Sequence, residues 1–107
     1  MREKVIMEYI NKIELQGFVS ATRSNVIGTN SVQNFSLMTE YMFEKSDKSI
    51  VCEATWHNIV AWNSKAVNKG DKVRVVGRLR QTKYTAADGT ERIFCEVVAS
   101  ELKIIER

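Results

Sequence analysis

The chain of 107 residues contains 16 Lys and Arg, 13 Asp and Glu and no proline, which gives a net charge of +3. Its length fits one domain, and a composition of 44% hydrophobic and 27% charged residues is typical of a globular protein rather than a disordered one. No apolar run approaches the roughly 18 residues of a membrane span, and residues 1–6 lack the apolar core of a signal peptide. We therefore expect a cytoplasmic, single-domain protein with no membrane partner.

Alternating apolar and polar residues predict strands along most of the chain. The predicted strands are Ile13–Thr22, Val32–Phe43, Ile50–Trp62, Lys72–Thr82 and Ile93–Ile105. Residues 22–31 are rich in Ser, Thr, Asn and Gly and predict a loop, and residues 44–49 predict a polar turn. Residues 63–68 allow at most one or two helical turns before residues 69–71 interrupt them, and Asp88–Gly89 predicts a hairpin turn.

Five strands with a short helical piece between the third and the fourth follow the order of an OB-fold, a five-stranded Greek-key barrel. A small sandwich also has many short strands with turn signals, and the pattern alone leaves it as an alternative. Closing the sheet would pair most of the strand edges that a strand-rich chain otherwise exposes. We predict an all-β OB-fold barrel with a shortened helical connector between strands 3 and 4.

Cysteine and histidine are scarce in this sequence. Cys52 and Cys95 are the two cysteines, and His57 is the one histidine. A zinc site usually needs four such ligands, and a reducing compartment disfavours a disulfide, so we predict two buried free thiols and no metal. Nucleophilic catalysis would have to use His57, where a structural or interface role is the simpler interpretation. Phosphate-binding glycine motifs are also missing, and we predict a protein that is not an enzyme and needs no cofactor.

Basic residues are concentrated in the fourth predicted strand and the hairpin after it. Residues 69–92 contain seven basic and three acidic side chains. Arg74, Arg78 and Arg80 share one face of their strand because side chains alternate, and Tyr84 continues that face. An ordinary solvated strand face would show the same charges, so they indicate nucleic acid only in combination with nearby aromatic rings.

Trp56 and Trp62 supply those rings on the third predicted strand. They lie six residues apart on one face, which is about 20 Å along a strand. Large aromatic residues usually belong to the core, and the alternation of this strand does not decide which face is inside. Spaced aromatic rings beside a basic strand are, however, what unpaired nucleic acid needs, because bases stack on the rings and cations neutralise the phosphates.

Five short segments in order resemble the bacterial single-stranded DNA-binding protein (SSB) family. They are N-K-I-E-L-Q-G at Asn11–Gly17, N-F-S-L at Asn34–Leu37, T-W-H at Thr55–His57, G-R-L-R at Gly77–Arg80 and E-V-V-A at Glu96–Ala99. The resemblance covers roughly residues 10–105 and leaves residues 1–9 as an N-terminal extension. It implies an OB-fold barrel that binds single-stranded DNA as a homotetramer, with Ile13, Leu15 and His57 near the subunit contacts.

The resemblance also implies a set of DNA-binding residues. The base-stacking positions of the family fall on Phe43, Trp56, Trp62 and Tyr84, all of which are aromatic. Arg78, Arg80 and Lys83 match the basic strand and hairpin of the family, and Lys65 matches a basic position after the third strand. Together with the neighbouring charges, the predicted phosphate-binding residues are Lys65, Lys72, Arg74, Arg78, Arg80 and Lys83.

Two departures from the family pattern shape the expected function. The connector at residues 63–70 is several residues shorter than the helix-bearing segment of the family. The family also continues into a flexible linker with an acidic tip that recruits replication and repair enzymes, and we expect no such recruitment by residues 1–107. The prediction is sequence-tolerant binding of single-stranded DNA in replication, recombination or repair. Alternatives are a dimeric, primosome-type accessory protein and an OB-fold protein-interaction module that binds no nucleic acid.

Overall fold

The computed structural model describes residues 9–107. These residues form five strands, β1 (Ile13–Ile27), β2 (Asn30–Glu44), β3 (Ile50–Trp62), β4 (Lys72–Thr85) and β5 (Glu91–Glu106). Apart from Tyr9, the predicted N-terminal extension lies outside the described residues. None of the residues from 9 to 107 forms a helix long and apolar enough to cross a membrane.

The five strands close into one barrel in the order β1-β2-β3-β5-β4. Neighbouring strands are antiparallel except β3 and β5, which run parallel and pair only at Ile59 with Val97 and at Val60 with Val98. β1 pairs with β4 over its first six residues and with β2 from Phe18 onward. This closed barrel confirms the predicted OB-fold and excludes the sandwich.

Alternating residues of each strand fill the barrel interior. The core cluster consists of Val19, Phe35, Leu37, Ile59, Ala61, Val67, Val73, Val75 and Val97. Ile13 and Leu15 are partly buried and pack against this cluster from the first half of β1. Val67 is the one core residue outside the strands of residues 9–107, and it closes one end of the barrel from the connector between β3 and β4.

Two glycines allow strands to cross closely. A Cβ atom on Gly17 would lie 2.1 Å from the carbonyl oxygen of Met38, and one on Gly77 would lie 2.2 Å from the carbonyl oxygen of Val98. Both distances are far below van der Waals contact, so any larger side chain would displace the backbone of β2 or β5. Gly77 also lies at a register shift between β4 and β5, where the sheet bends to close.

The predicted loop at residues 22–31 is wrong. β1 continues to Ile27 and pairs with β2 as far as Ile27 opposite Asn30, which leaves a two-residue turn at Gly28–Thr29. Gly28 has a φ of 62°, and a positive φ at the first turn position favours glycine. The polar composition of this segment reflects the exposure of every β1 residue from Thr22 to Ile27 rather than irregular backbone.

The predicted helical connector is also wrong, because residues 63–71 contain no helix. Side chains satisfy backbone groups that a helix would have paired internally. Gln33 from β2 accepts a hydrogen bond from the backbone amide of Val67 (3.0 Å) and donates one to the carbonyl of Lys65. Asp71 accepts one from the backbone amide of Asn68 (2.9 Å). Asn63 adopts a positive φ of 52°, which also breaks a helical start.

Two hairpin arms extend from the barrel, and each is paired only within itself. The β2–β3 arm is Thr39–Glu44 with Ile50–Thr55, and the β4–β5 arm is Gln81–Thr85 with Glu91–Cys95. The predicted turn at Asp88–Gly89 is confirmed at the tip of the second arm, with a φ of 87° at Gly89. Cys52 and Cys95 lie on these arms as free and exposed thiols, so their predicted burial is wrong.

Candidate nucleic-acid interface

Trp56 and Trp62 lie on the outer surface of β3. Ile59 and Ala61, at the alternate positions, are buried in the barrel with 1% exposure each. Alternation therefore turns both tryptophans outward, and their exposed fractions are 61% and 46%. The structure thus resolves the question that the sequence left open, because the two largest apolar side chains of the strand are not core residues.

A groove of about 800 Å³ lies over this outer surface. Its walls include the outer ends of β1 and β2, and its lining includes Asn34, Asn58, Trp62, Arg80, Phe94 and Glu96. Asn34 and Asn58 belong to the outward face of the β2–β3 ladder, where Ser36 pairs with Asn58 and Asn34 with Val60. The groove therefore has an aromatic ring at one end and amide groups on its floor.

Trp56 lines a second, smaller cleft of about 400 Å³. This cleft lies where β3 and β5 diverge from their short parallel pairing. Asn58, Phe94 and Glu96 line both the groove and the cleft, so the two depressions adjoin at these side chains. The structure thereby places Trp56 and Trp62 along one continuous outer surface.

Arg80 is the predicted phosphate-binding residue that lines the tryptophan groove. Its Nε donates a hydrogen bond to Oε1 of Glu96 at 2.9 Å, and its Nη2 donates to the same oxygen. The Glu96 side chain is only 11% exposed, whereas that of Arg80 is 42% exposed. The ion pair holds the guanidinium at the base of the β4–β5 arm, with its remaining N–H groups toward solvent.

Arg74 and Arg78 lie outside this groove, beside a depression formed by β1, β4 and β5. Both line a shallow depression of about 730 Å³ that also contains Lys12, Glu14, Glu101 and Lys103. Arg74 is paired with Glu14 at 2.5 Å. Arg78 makes no ion pair with any residue of the described range 9–107. The three arginines all point outward from β4 as predicted, but Arg80 lines the tryptophan groove whereas Arg74 and Arg78 line this second depression.

The other predicted basic residues lie apart from the groove. Lys72 has its Nζ 6.0 Å from the ring centroid of Phe18 on β1. Lys83 is on the β4–β5 arm, with its Nζ 3.8 Å from a carboxylate oxygen of Glu91. Lys65 belongs to the connector that Gln33 holds.

The remaining predicted stacking residues, Tyr84 and Phe43, lie on the two arms. Tyr84 is 48% exposed near the tip of the β4–β5 arm, opposite Arg92. Phe43 is half-buried against Tyr41, with ring centroids 5.8 Å apart. Phe43 shares the alternation of Leu37 rather than that of the β2 residues opposite Trp56 and Trp62. The structure therefore does not bring Phe43 and Tyr84 into the tryptophan groove.

His57, predicted near a subunit contact, lies opposite the buried Leu37 in the β2–β3 ladder. Its Nε2 is 2.9 Å from Oγ1 of Thr39. Partial burial lowers the pKa of His57 below its ordinary value. Burial of the imidazole on the strand therefore favours its neutral form.

Phe94 and Glu96 are groove residues that the sequence argument missed. Both were treated as part of a plain closing strand. Counting back from the Asp88–Gly89 turn pairs Arg80 with Glu96 and Thr82 with Phe94, which is the register that the structure shows. Because paired residues share a face, that count would have placed Phe94 and Glu96 beside Arg80.

A closed barrel of this strand order, with an aromatic and polar groove on its outer face, defines an OB-fold protein. The model of the single-strand binding protein family matches residues 10–105. The chain therefore belongs to the single-strand binding protein family, and the resemblance seen in the sequence is confirmed.

Relatives and solved structures agree with this assignment. Single-stranded DNA-binding protein 2 of Clostridium acetobutylicum is 37% identical in an alignment that covers 68% of this chain and 57% of that protein. The single-stranded DNA-binding protein of Clostridium tetani is 34% identical in an alignment that covers 71% of this chain and 54% of that protein. The chain thus spans little more than half the length of these relatives. The Plasmodium falciparum SSB complex with ssDNA is similar in structure, with a TM-score of 0.79 and 26% identity over 99% of this chain and 100% of that one.

Proposed function

We propose that this chain binds single-stranded DNA with little sequence preference and holds it unpaired in replication, recombination or repair. The observation that carries the proposal is the outward position of Trp56 and Trp62 on one outer surface, Trp62 in the groove and Trp56 in the adjoining cleft. Two large rings exposed at 61% and 46% offer flat apolar faces to a ligand with flat apolar faces of its own. Every nucleobase has such a face, which accounts for tolerance of sequence.

The polar side chains of the groove complement this stacking surface. Arg80 lines the same groove as Trp62 and is held by Glu96, so the groove offers a guanidinium at a fixed position. A planar guanidinium suits phosphate because it can donate two parallel hydrogen bonds. Lys65, Lys72, Arg74, Arg78 and Lys83 are proposed as further phosphate contacts on the adjoining faces. Phosphate contacts position the strand without distinguishing its bases.

The relatives support the ligand class. Two of them are named single-stranded DNA-binding proteins, and the similar Plasmodium falciparum structure is a complex with ssDNA. Membership of the single-strand binding protein family supports a role in binding rather than in catalysis. We propose that the protein acts in the cytoplasm by binding alone.

We also propose a homotetramer. The first half of β1 pairs with β4 on one side only, and Tyr41, Met42 and Ile50 of the β2–β3 arm are all more than 60% exposed. An unpaired strand edge and exposed apolar side chains both favour contact with another subunit. Ile13, Leu15 and His57 are proposed near such contacts, as the family resemblance implies. A dimer of primosome type remains the alternative assembly.

Titration of the intrinsic tryptophan fluorescence with oligo-dT tests the DNA-binding proposal. Binding is expected to quench the fluorescence, and Trp56→Ala or Trp62→Ala is expected to weaken binding by about 1–3 kcal/mol each. Ile105→Ala, an exposed substitution on β5 outside the groove, is the control and should bind like the wild type. Unchanged fluorescence at saturating oligo-dT would instead support an OB-fold module that binds protein.

A further inference from the structure

Phe94 lies between the two tryptophans and does not belong to the core of the barrel. It is 40% exposed and does not belong to the buried core cluster of the barrel. Among residues 9–107 its ring contacts no other aromatic ring. It lines both the groove that holds Trp62 and the cleft that holds Trp56. Packing of the barrel therefore does not account for a phenyl ring at this position.

The face of β5 that carries Phe94 is otherwise polar. Glu96, two residues along the strand on the same face, holds Arg80 by an ion pair, and Thr82 lies opposite Phe94 in the ladder. Two residues along a strand span about 7 Å, so the phenyl ring and the Arg80–Glu96 pair are close neighbours. An apolar ring beside a fixed guanidinium provides one stacking face and one phosphate-binding group within the length of a nucleotide.

Phe94 also lies in the gap between the two tryptophan rings. Trp56 and Trp62 are separated by about 20 Å along β3, which is too far for both to stack on one base. The junction of the groove and the cleft, where Phe94 lies with Asn58, falls between them. A ring at this junction allows stacking to continue from one tryptophan toward the other across the β3–β5 seam.

We propose that Phe94 forms a further base-stacking subsite, which takes a nucleobase of single-stranded DNA between those held by Trp56 and Trp62. Arg80, positioned by Glu96, contacts the phosphate next to that base. This subsite rests on the proposed function of the groove and adds a fifth ring to the four that the family resemblance implies.

The test compares Phe94→Leu, which removes the ring but keeps apolar bulk, with Phe94→Tyr, which keeps the ring. Ile105→Ala is the matched control, because Ile105 is on the same strand with the same 40% exposure and lines no part of the groove. Each protein is titrated with oligo-dT and with an abasic strand of the same length, which has phosphates but no bases. Phe94→Leu should weaken oligo-dT binding about five- to a hundredfold. Its affinity for the abasic strand should equal that of the wild type, and Phe94→Tyr should bind oligo-dT normally.

Two results would overturn the subsite and leave the DNA-binding function standing. One is wild-type affinity of Phe94→Leu for oligo-dT while Trp62→Ala is weakened. The other is an equal loss of affinity for oligo-dT and for the abasic strand, which would mean that Phe94 only shapes the groove. If the wild type itself does not bind oligo-dT, the proposed function fails together with the subsite.

Discussion

His57 connects the strand that carries both tryptophans to β2, through the 2.9 Å contact of its Nε2 with Oγ1 of Thr39. Burial lowers its pKa in the folded protein, so between pH 6.5 and that lowered value the unfolded chain binds a proton that the folded chain does not. The free energy of unfolding therefore has its full value above about pH 6.5. It decreases as the pH falls from about 6.5 through the lowered pKa of His57 in the folded protein.

The free energy of unfolding is therefore expected to decrease on acidification across this range, and the decrease should be smaller in His57→Asn. Urea unfolding at a series of pH values measures both slopes. Identical slopes for the wild type and the variant would show that His57 titrates alike in the folded and unfolded states.

At the scale of residues, the sequence predicts which side chains belong to the candidate site better than it predicts the contacts of those side chains. Trp56 and Trp62 were predicted as DNA-facing residues, and the structure turns both outward. Arg80 was predicted as a phosphate-binding residue, but its ion pair with Glu96, 16 positions away in the chain, was not predicted. The register of the β4–β5 hairpin decides which residue lies opposite Arg80. The alternation of residues within one strand does not determine that register.

At the scale of elements, β3 was predicted with its observed bounds, Ile50–Trp62, whereas β1 and β2 extend further than predicted. In the hairpin of Thr22–Ile27 with Asn30–Phe35, the β1 side is exposed along its whole length and mostly polar. Composition alone assigns such a segment to a loop. In the connector between β3 and β4, the sequence analysis instead predicted a helix that the structure does not contain. Its backbone groups are satisfied by Gln33 and Asp71, so no helix is needed to plug the barrel.

Gly77 marks the place where β4 crosses β5 most closely. A Cβ atom there would lie 2.2 Å from the carbonyl oxygen of Val98, so the two strands would have to separate. Gly77→Ala is expected to lower the free energy of unfolding by about 1–3 kcal/mol, as for other overpacked sites. Ser46→Ala, in the exposed turn of the β2–β3 arm, should change it by no more than about 0.5 kcal/mol. Equal unfolding midpoints for Gly77→Ala and the wild type would mean that β5 moves aside freely.

β4 carries Arg78 on its outward face, next to the tryptophan groove but not lining it, and Arg78 makes no ion pair in the described part of the chain. If the DNA continues across this face, Arg78→Gln should reduce the slope of log K against log salt by about 0.7, the value of one phosphate contact. Lys69→Gln, an equal change of charge on the connector, is the control. A slope that does not respond to Arg78→Gln would confine the DNA to the face that carries Trp56 and Trp62.

At the scale of the whole molecule, the proposed tetramer would place four grooves on one particle. A long strand could then occupy several grooves at once, which raises its affinity without any new contact. Light scattering should give a mass near four times 12.3 kDa, and long oligo-dT should bind more tightly per site than short oligo-dT. A mass of two chains would favour the primosome-type assembly. A monomer that binds short and long strands equally well would contradict both the tetramer and wrapping.

The closure of the barrel has a consequence for how quickly the chain folds. Hairpins such as that at Gly28–Thr29 join neighbouring segments and form within microseconds. Closure must instead join Ile13 to Gly77 and Ile59 to Val97, and proteins dominated by such distant pairings fold in milliseconds to seconds. The sequence has no proline, so prolyl isomerisation cannot add a slower phase. In stopped-flow refolding of this chain, a phase slower than seconds whose rate increases with protein concentration would therefore report the association of subunits. It would not report the folding of the barrel.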